Sequence, residues 1–142
     1  MIARKILVAY DGSDLAKKAL SKAMDIGALD PSIEIQAVHV IKLIVPMLGG
    51  QEVEHYLTDE IYRIGEKVLE EADQILAAST NPHQTALLTN QVPSSAILEH
   101  ARDNNCDLII IGSRGLGGLK EFLGSVSHAV VQKSPVPVLI MK

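Results

Sequence analysis

The residues best suited to chemistry lie between Asp107 and Gly118, in the stretch DLIIIGSRGLGG. Four apolar residues, Leu108 to Ile111, run directly into Gly112, Gly115, Gly117 and Gly118. A short apolar run closed by glycine reads as a buried strand that ends in a loop of bare backbone. Gly124 and Ser125 then open a helical segment, Val126 to Lys133, with Ser125 available as its N-cap. Strand, Gly-rich loop and helix start, in that order, offer unblocked N–H groups and the positive end of a helix dipole. Both suit a phosphate. A structural turn uses the same glycines, so the loop alone leaves both readings open. The ATPase pattern G-x4-G-K-[ST] does not occur, and G-x-G-x-x-G fails because Lys120 holds its last position.

Other reactive residues are scattered. Asp11, in Asp11-Gly12-Ser13-Asp14, follows an apolar run and either orders its loop or faces a ligand. Arg114 stands inside the glycine loop, where it reaches a phosphate, a carboxylate or only solvent. Cys106 has no Lys, Arg or His adjacent in sequence to lower its pKa, and reads as a structural thiol. His39, His55, His83, His100 and His128 show no zinc-type spacing with one another or with Cys106. His39 reads as a packed or hydrogen-bonded core residue. Glu66, Glu70 and Glu71 read as a solvated helix face.

The elements that must position these residues alternate in type. Lys5 to Tyr10, KILVAY, suits a strand covered on both faces. Ser13 caps a helix with apolar positions Leu15, Ala16, Ala19, Leu20, Ala23 and Met24. Ile33 to Ile41 forms the second strand, and Lys42 to Gly50 is a loop marked by Pro46 and Gly49-Gly50. A long helix covers Glu52 to Ala78, with Tyr56, Leu57, Ile61, Ile64, Val68 and Leu69 among its apolar positions. Thr85 to Thr89 is the third strand, Pro93 to about Asn104 a helix, Leu108 to Ile111 the fourth strand, and Val136 to Met141 the fifth. Strands alternating with helices predict an α/β domain: an open five-stranded parallel sheet with helices on both faces, Rossmann-like, in a single domain. Ligands of such sheets bind beyond the carboxyl ends of the strands, where the strand order reverses. With the first and fourth strands as neighbours, Asp11-Gly12-Ser13 and the glycine loop face one crevice.

Composition narrows the function classes. The chain has 142 residues, enough for one domain without disulfides or metal. Its 13 basic and 17 acidic residues give a net charge of −4, which argues against general nucleic-acid binding. Tryptophan is absent and the few aromatics are scattered, so no stacking platform for single strands is expected. A single cysteine, no signal-peptide layout and no membrane-length apolar run lead to the expectation of a cytoplasmic protein with no membrane partner.

Along its whole length the chain resembles the universal stress protein family. The residues that carry the likeness are KILVAYDGSDLAKKAL, His39-Val40, ILEHARDNNCDLIIIGSRG and the closing GSVSHAVVQKSPVPVLIMK. The nucleotide-binding branch of that family carries G-x2-G-x9-G-[ST], matched in type and order by Gly112, Gly115, Gly124 and Ser125. Here eight residues separate Gly115 from Gly124 instead of nine, a difference assigned to Gly117-Gly118. Gln91 stands where relatives often have glycine. The resemblance implies an adenine nucleotide hydrolase-like fold and bound ATP with Mg²⁺ or Mn²⁺. It implies that backbone amides around Gly112, Gly115 and Gly124, the Ser125 hydroxyl and the Val126 and Ser127 amides hold the phosphates. It places Asp11 near the ribose or a divalent ion, and Ala9, Val40 and Ile111 around the adenine.

The last strand is apolar on both faces, with Val136, Val138 and Ile140 on one side and Leu139 and Met141 on the other. Pro137 near its start suits an edge, and an edge this apolar calls for a cover. A homodimer pairing Val136 to Met141 with its twofold mate supplies one, and the resemblance implies the same dimer. The expected function is regulatory: nucleotide occupancy biases the glycine loop and the Lys42 to Gln51 segment, and through them a protein partner. A nucleotide-free dimeric interaction module is the alternative. A slow ATPase would need a catalytic group at the loop, and Asp11 is the sequence-level candidate.

Overall fold

The apolar runs Lys5–Ala9 and Leu108–Gly112 become central strands because they are buried from both sides. The computed structural model describes residues 3–42, 51–115 and 123–142, with residues 51–55 as backbone only. The readings placed on Pro46, Gly49-Gly50, Gly117-Gly118 and Lys120, and most of the Lys42 to Gln51 segment, lie outside the described residues. The elements are β1 Lys5–Ala9, α1 Asp14–Gly27, β2 Glu34–Ile41, α2 Gln51–Leu76, β3 His83–Thr89, α3 Pro93–Asp103, β4 Leu108–Gly112, α4 Ser125–Lys133 and β5 Val138–Met141. All strand pairs are parallel, in the order β3-β2-β1-β4-β5. The chain winds outward from β1 to β3, then returns to place β4 on the other side of β1. The predicted α/β sheet is therefore present, with its reversal between β1 and β4.

The strand pleat divides the core in two. Ile6, Val8, Ile35, Ala37 and Ile110 face α1 and α2. Leu7, Val38, Ile109 and Ile111 face α3 and α4. Successive residues thus alternate between cores and residues two apart share one, the arrangement a doubly covered parallel sheet requires.

Several local expectations shift. β3 begins two residues earlier than the Thr85 start, and β1 ends at Ala9, not Tyr10. β5 begins at Val138 and not at Val136, because Val136 N–H and C=O are both engaged by the Ser134 hydroxyl in a turn. On α2, Tyr56 and Ile64 are exposed although their spacing reads as core-facing. Glu71 is not simply solvated: it accepts the hydroxyl of buried Tyr10 and pairs with Lys17 at 3.7 Å, whereas Glu66 and Glu70 are exposed. Burial, and then Glu71, raise the Tyr10 phenol above its ordinary pKa. Cys106 is packed in the α3–α4 core, where burial pushes its thiol up to about 11, in keeping with a structural role.

One buried side chain ties α1 to the start of β3. The Asn81 amide nitrogen lies 2.9 Å from Gly27 C=O, 3.0 Å from Asp30 C=O and 3.0 Å from Ile33 C=O. These carbonyls belong to the end of α1 and the turn into β2. Gly27 C=O also accepts Asp30 N–H and Asp30 C=O also accepts Ile33 N–H, each at 3.1 Å, so Asn81 adds a second donor to both and supplies one to Ile33 C=O. Gly27 makes room, since a Cβ there would lie 2.7 Å from Asn81 Oδ1. Asn81→Ala is expected to cost about 2 kcal/mol, because it removes three hydrogen bonds and takes the side-chain donor from Ile33 C=O. Urea unfolding measures this, and a loss below about 1 kcal/mol would remove Asn81 from that role.

Candidate functional site

The crevice begins where β1 stops and β2 continues. Ala9 pairs in register with Val38, and Tyr10 N–H donates to Val38 C=O at 2.8 Å. Beyond that point β2 runs on beside β3 as far as Ile41, opposite Thr89. Alternate residues of a parallel strand direct their N–H and C=O to alternate sides. Val38 faces β1, so the Val40 amide and carbonyl are aimed the same way, past the end of β1. The Tyr10 C=O, which a continued ladder would offer to Val40 N–H, instead accepts the Nδ1–H of His39 at 2.9 Å.

The chain then turns through Asp11-Gly12-Ser13. Gly12 has φ +83°, a left-handed conformation that glycine adopts without strain. Asp11 Oδ1 accepts the Ser13 N–H at 2.9 Å, and the Ser13 hydroxyl oxygen accepts Ala16 N–H at 3.2 Å as the N-cap of α1. Asp11 therefore orders its loop. Its other oxygen reaches the glycine loop, close enough that a Cβ on Gly115 would lie 2.5 Å away.

On the opposite side, β4 delivers the glycine loop to the start of α4. Ser113 is the clamp. Its N–H donates to Met141 C=O at 2.7 Å, and its C=O accepts both Gly124 N–H at 2.7 Å and the buried Ser127 hydroxyl at 2.8 Å. The phosphate roles expected around Gly112 and Gly124 are narrowed by this. Gly112 is still a β4 residue, in register with Met141, and the Gly124 amide is occupied by Ser113. Ser125 is not the N-cap: Gly124 caps α4 with no side-chain bond, and Ser125 is the exposed first helical residue. The first intrahelical bond runs from His128 N–H to Gly124 C=O at 2.9 Å. The Ser125, Val126 and Ser127 amides thus have no partner among the described residues, and they end at the crevice.

These parts enclose a cavity of about 430 Å³. Its lining includes Ala9, Asp11, Val40, Ile111, Gly112, Gly115, Gly124, Ser125, Val126 and Ser127, the ten positions that the family resemblance points to. Tyr10, Ser13, His39, Pro93, Ile97 and Arg114 also line it. Pro93 and Ile97 come from α3, and no spacing in the sequence connects them to the glycine loop. The cavity has an apolar half, with Ala9, Val40, Ile97 and Ile111, and a polar half at the α4 start. Arg114 is the one cationic side chain and Asp11 the one carboxylate among the described lining residues. Burial lowers the His39 pKa, opposed by its bond to Tyr10 C=O and by Asp11, so the ring is neutral at pH 7.

The glycines differ in why they are glycine. A Cβ at Gly112 would meet Leu15 Cβ at 2.8 Å, so α1 packs directly on the end of β4. At Gly124 the nearest atom would be 3.4 Å away, ordinary contact, at φ −64°. Gly112→Ala should therefore cost about 2 kcal/mol by overpacking, and Gly124→Ala no more than about 1 kcal/mol. Paired urea titrations test the order, and the reverse order would refute the packing account of Gly112.

A doubly wound parallel sheet with a crevice at its reversal point, beside the start of a helix, defines a Rossmann-like α/β domain. The universal stress protein family matches residues 3–142, and the chain belongs to that family. It is 40% identical to universal stress protein YxiE of Bacillus subtilis, over 97% of this chain and 98% of that protein. The solved structure of MJ0577, described as a hypothetical protein whose biochemical function was assigned from its structure, superposes with a TM-score of 0.86. It is 29% identical, over 100% of this chain and 97% of its own. A universal stress protein in complex with cAMP gives a TM-score of 0.74 at 26% identity, over 100% and 99% of the two chains. A universal stress protein of Archaeoglobus fulgidus in complex with dAMP gives 0.65 at 25% identity, over the full length of both. Among the described residues, no helix is long and apolar enough to cross a membrane.

Proposed function

We propose that this universal stress protein is a cytoplasmic adenine-nucleotide-binding regulator that works as a homodimer. The observation that carries the reading is the shape of the crevice: one cavity joins an apolar slot to the first three amides of α4, which have no partner among the described residues. A purine fits the slot between Ala9, Val40 and Ile111, with the Val40 amide and carbonyl as donor and acceptor for its edge. Phosphates fit the Ser125, Val126 and Ser127 amides, with the Ser125 hydroxyl and Arg114 beside them. The related proteins solved with cAMP and dAMP support the same ligand class. ATP is the proposed nucleotide. Mg²⁺ or Mn²⁺ accompanies it on the phosphates, since Asp11 is a single carboxylate and suits a shared or water-mediated contact with the ion. The output is occupancy, read by a protein partner, and not turnover. Asp11 already accepts the Ser13 N–H, and no lysine lines the described crevice to neutralise a leaving phosphate.

Calorimetry with Mg²⁺-ATP tests the site. Wild-type protein is expected to bind at about micromolar concentration, and Gly124→Arg, which places a long side chain at the α4 start, to lose binding. No heat up to millimolar ATP in the wild type would overturn the nucleotide reading in favour of a nucleotide-free interaction module.

The dimer reading rests on β5, a sheet edge with an exposed apolar residue in Leu139. Val138 packs inward against the α3–α4 core, so Leu139 is the better residue to change. Leu139→Lys is expected to sediment as a monomer with its helical signal retained. A folded variant that remains dimeric would exclude the β5 edge as the interface.

A further inference from the structure

His39 sits on β2 directly before Val40, lines the crevice, and reaches across to the end of β1. Its Nδ1–H occupies the Tyr10 C=O at 2.9 Å. That carbonyl is the atom to which Val40 N–H would bond if the β1–β2 ladder ran one step further, because Tyr10 N–H already bonds Val38 C=O. No bond from Val40 N–H to Tyr10 C=O is present, although the preceding bond from Tyr10 N–H to Val38 C=O is made. The imidazole thus ends the ladder. It satisfies the first carbonyl beyond β1 and leaves Val40, which lines the cavity, without that ladder partner.

We infer that His39 is a positioning residue for base selection: by holding the Tyr10 carbonyl it keeps the Val40 N–H and C=O available as a donor–acceptor pair. The inference rests on the nucleotide reading of the crevice. Such a pair has a direction. Adenine presents an acceptor at N1 beside a donor at its 6-amino group, which matches N–H and C=O. Hypoxanthine presents a donor at N1 beside an acceptor at O6, which sets donor against donor and acceptor against acceptor. A mismatched edge in a desolvated slot leaves polar groups unpaired, the strongest form of discrimination available to a small site. The neighbourhood fits this role. Ala9 and Ile111 supply no competing polar side-chain group, and Tyr10 is itself fixed by its hydroxyl bond to Glu71 on α2. Protonation of His39 preserves the Nδ1–H donor, so the brace does not depend on the charge of the ring.

The experiment compares Mg²⁺-ATP with Mg²⁺-ITP, by calorimetry, in wild type, His39→Leu and His39→Asn. Wild type is expected to prefer ATP by about tenfold to a hundredfold. His39→Leu frees the Tyr10 carbonyl to take Val40 N–H, and its ATP preference should fall to within about threefold of unity. His39→Asn retains a donor near the Nδ1 position and should restore most of the preference, a rescue that a merely packed histidine would not show. A His39→Leu protein that keeps the full wild-type preference overturns the inference, as does a wild type that binds both nucleotides equally. A wild type that binds neither overturns the nucleotide reading itself. Thermal melts of the three proteins, with His39→Asn as the folded reference, separate lost selectivity from lost structure.

Discussion

The difference in length between neighbouring strands governs the rest of the molecule. β1 stops at Ala9 while β2, beside it, continues to Ile41. Backbone groups that a longer β1 would pair are left at the carboxyl edge of the sheet, where buried N–H and C=O groups must find other partners. Some find them within the chain: Tyr10 C=O takes His39, and Ser13 N–H takes Asp11. Among the described residues, the Val40 edge and the first amides of α4 do not, and both line the crevice.

That edge stays open because both walls are held from behind. The β1 side is fixed by Tyr10, buried and bonded to Glu71 on α2, and by the cap of α1 at Ser13. The β4 side is fixed by Ser113, which links β5, the α4 N-cap and Ser127 through two backbone atoms. α1 packs on Gly112 with no space for a Cβ, so it sets how near the two loops approach. Asp11 against Gly115 closes the last gap between them. Preorganisation of this kind reduces the ordering a ligand must impose on its site.

Legibility in the sequence followed the range of the forces involved. Strands and helices were readable because their patterns are local: KILVA and LIIIG are continuous apolar runs, and α1 shows helical spacing with Ser13 as its cap. Boundaries moved where a side chain intervened. The Ser134 hydroxyl engages Val136 and delays β5, and Gly124 takes the capping position assigned to Ser125. Glu71 was misread as solvated because its partner, Tyr10, lies 61 residues away. Tyr56 and Ile64 were misread as core because spacing records which residues share a helix face, not what that face meets.

The sequence by itself determined the class of fold, the two glycine-bearing loops and the family, since each rests on residue types at fixed local spacing. Only the tertiary structure decided which backbone groups remain free. Gly112, Gly115 and Gly124 looked alike as letters, yet one is required by Leu15, one lies against Asp11, and one caps a helix with room to spare. His39 read as an ordinary core histidine until the register of β1 against β2 showed which carbonyl it holds. The physical reason is that hydrogen-bond supply and demand is settled between strands distant in sequence. A ladder's end is defined by two neighbours at once, and one strand's letters cannot specify it.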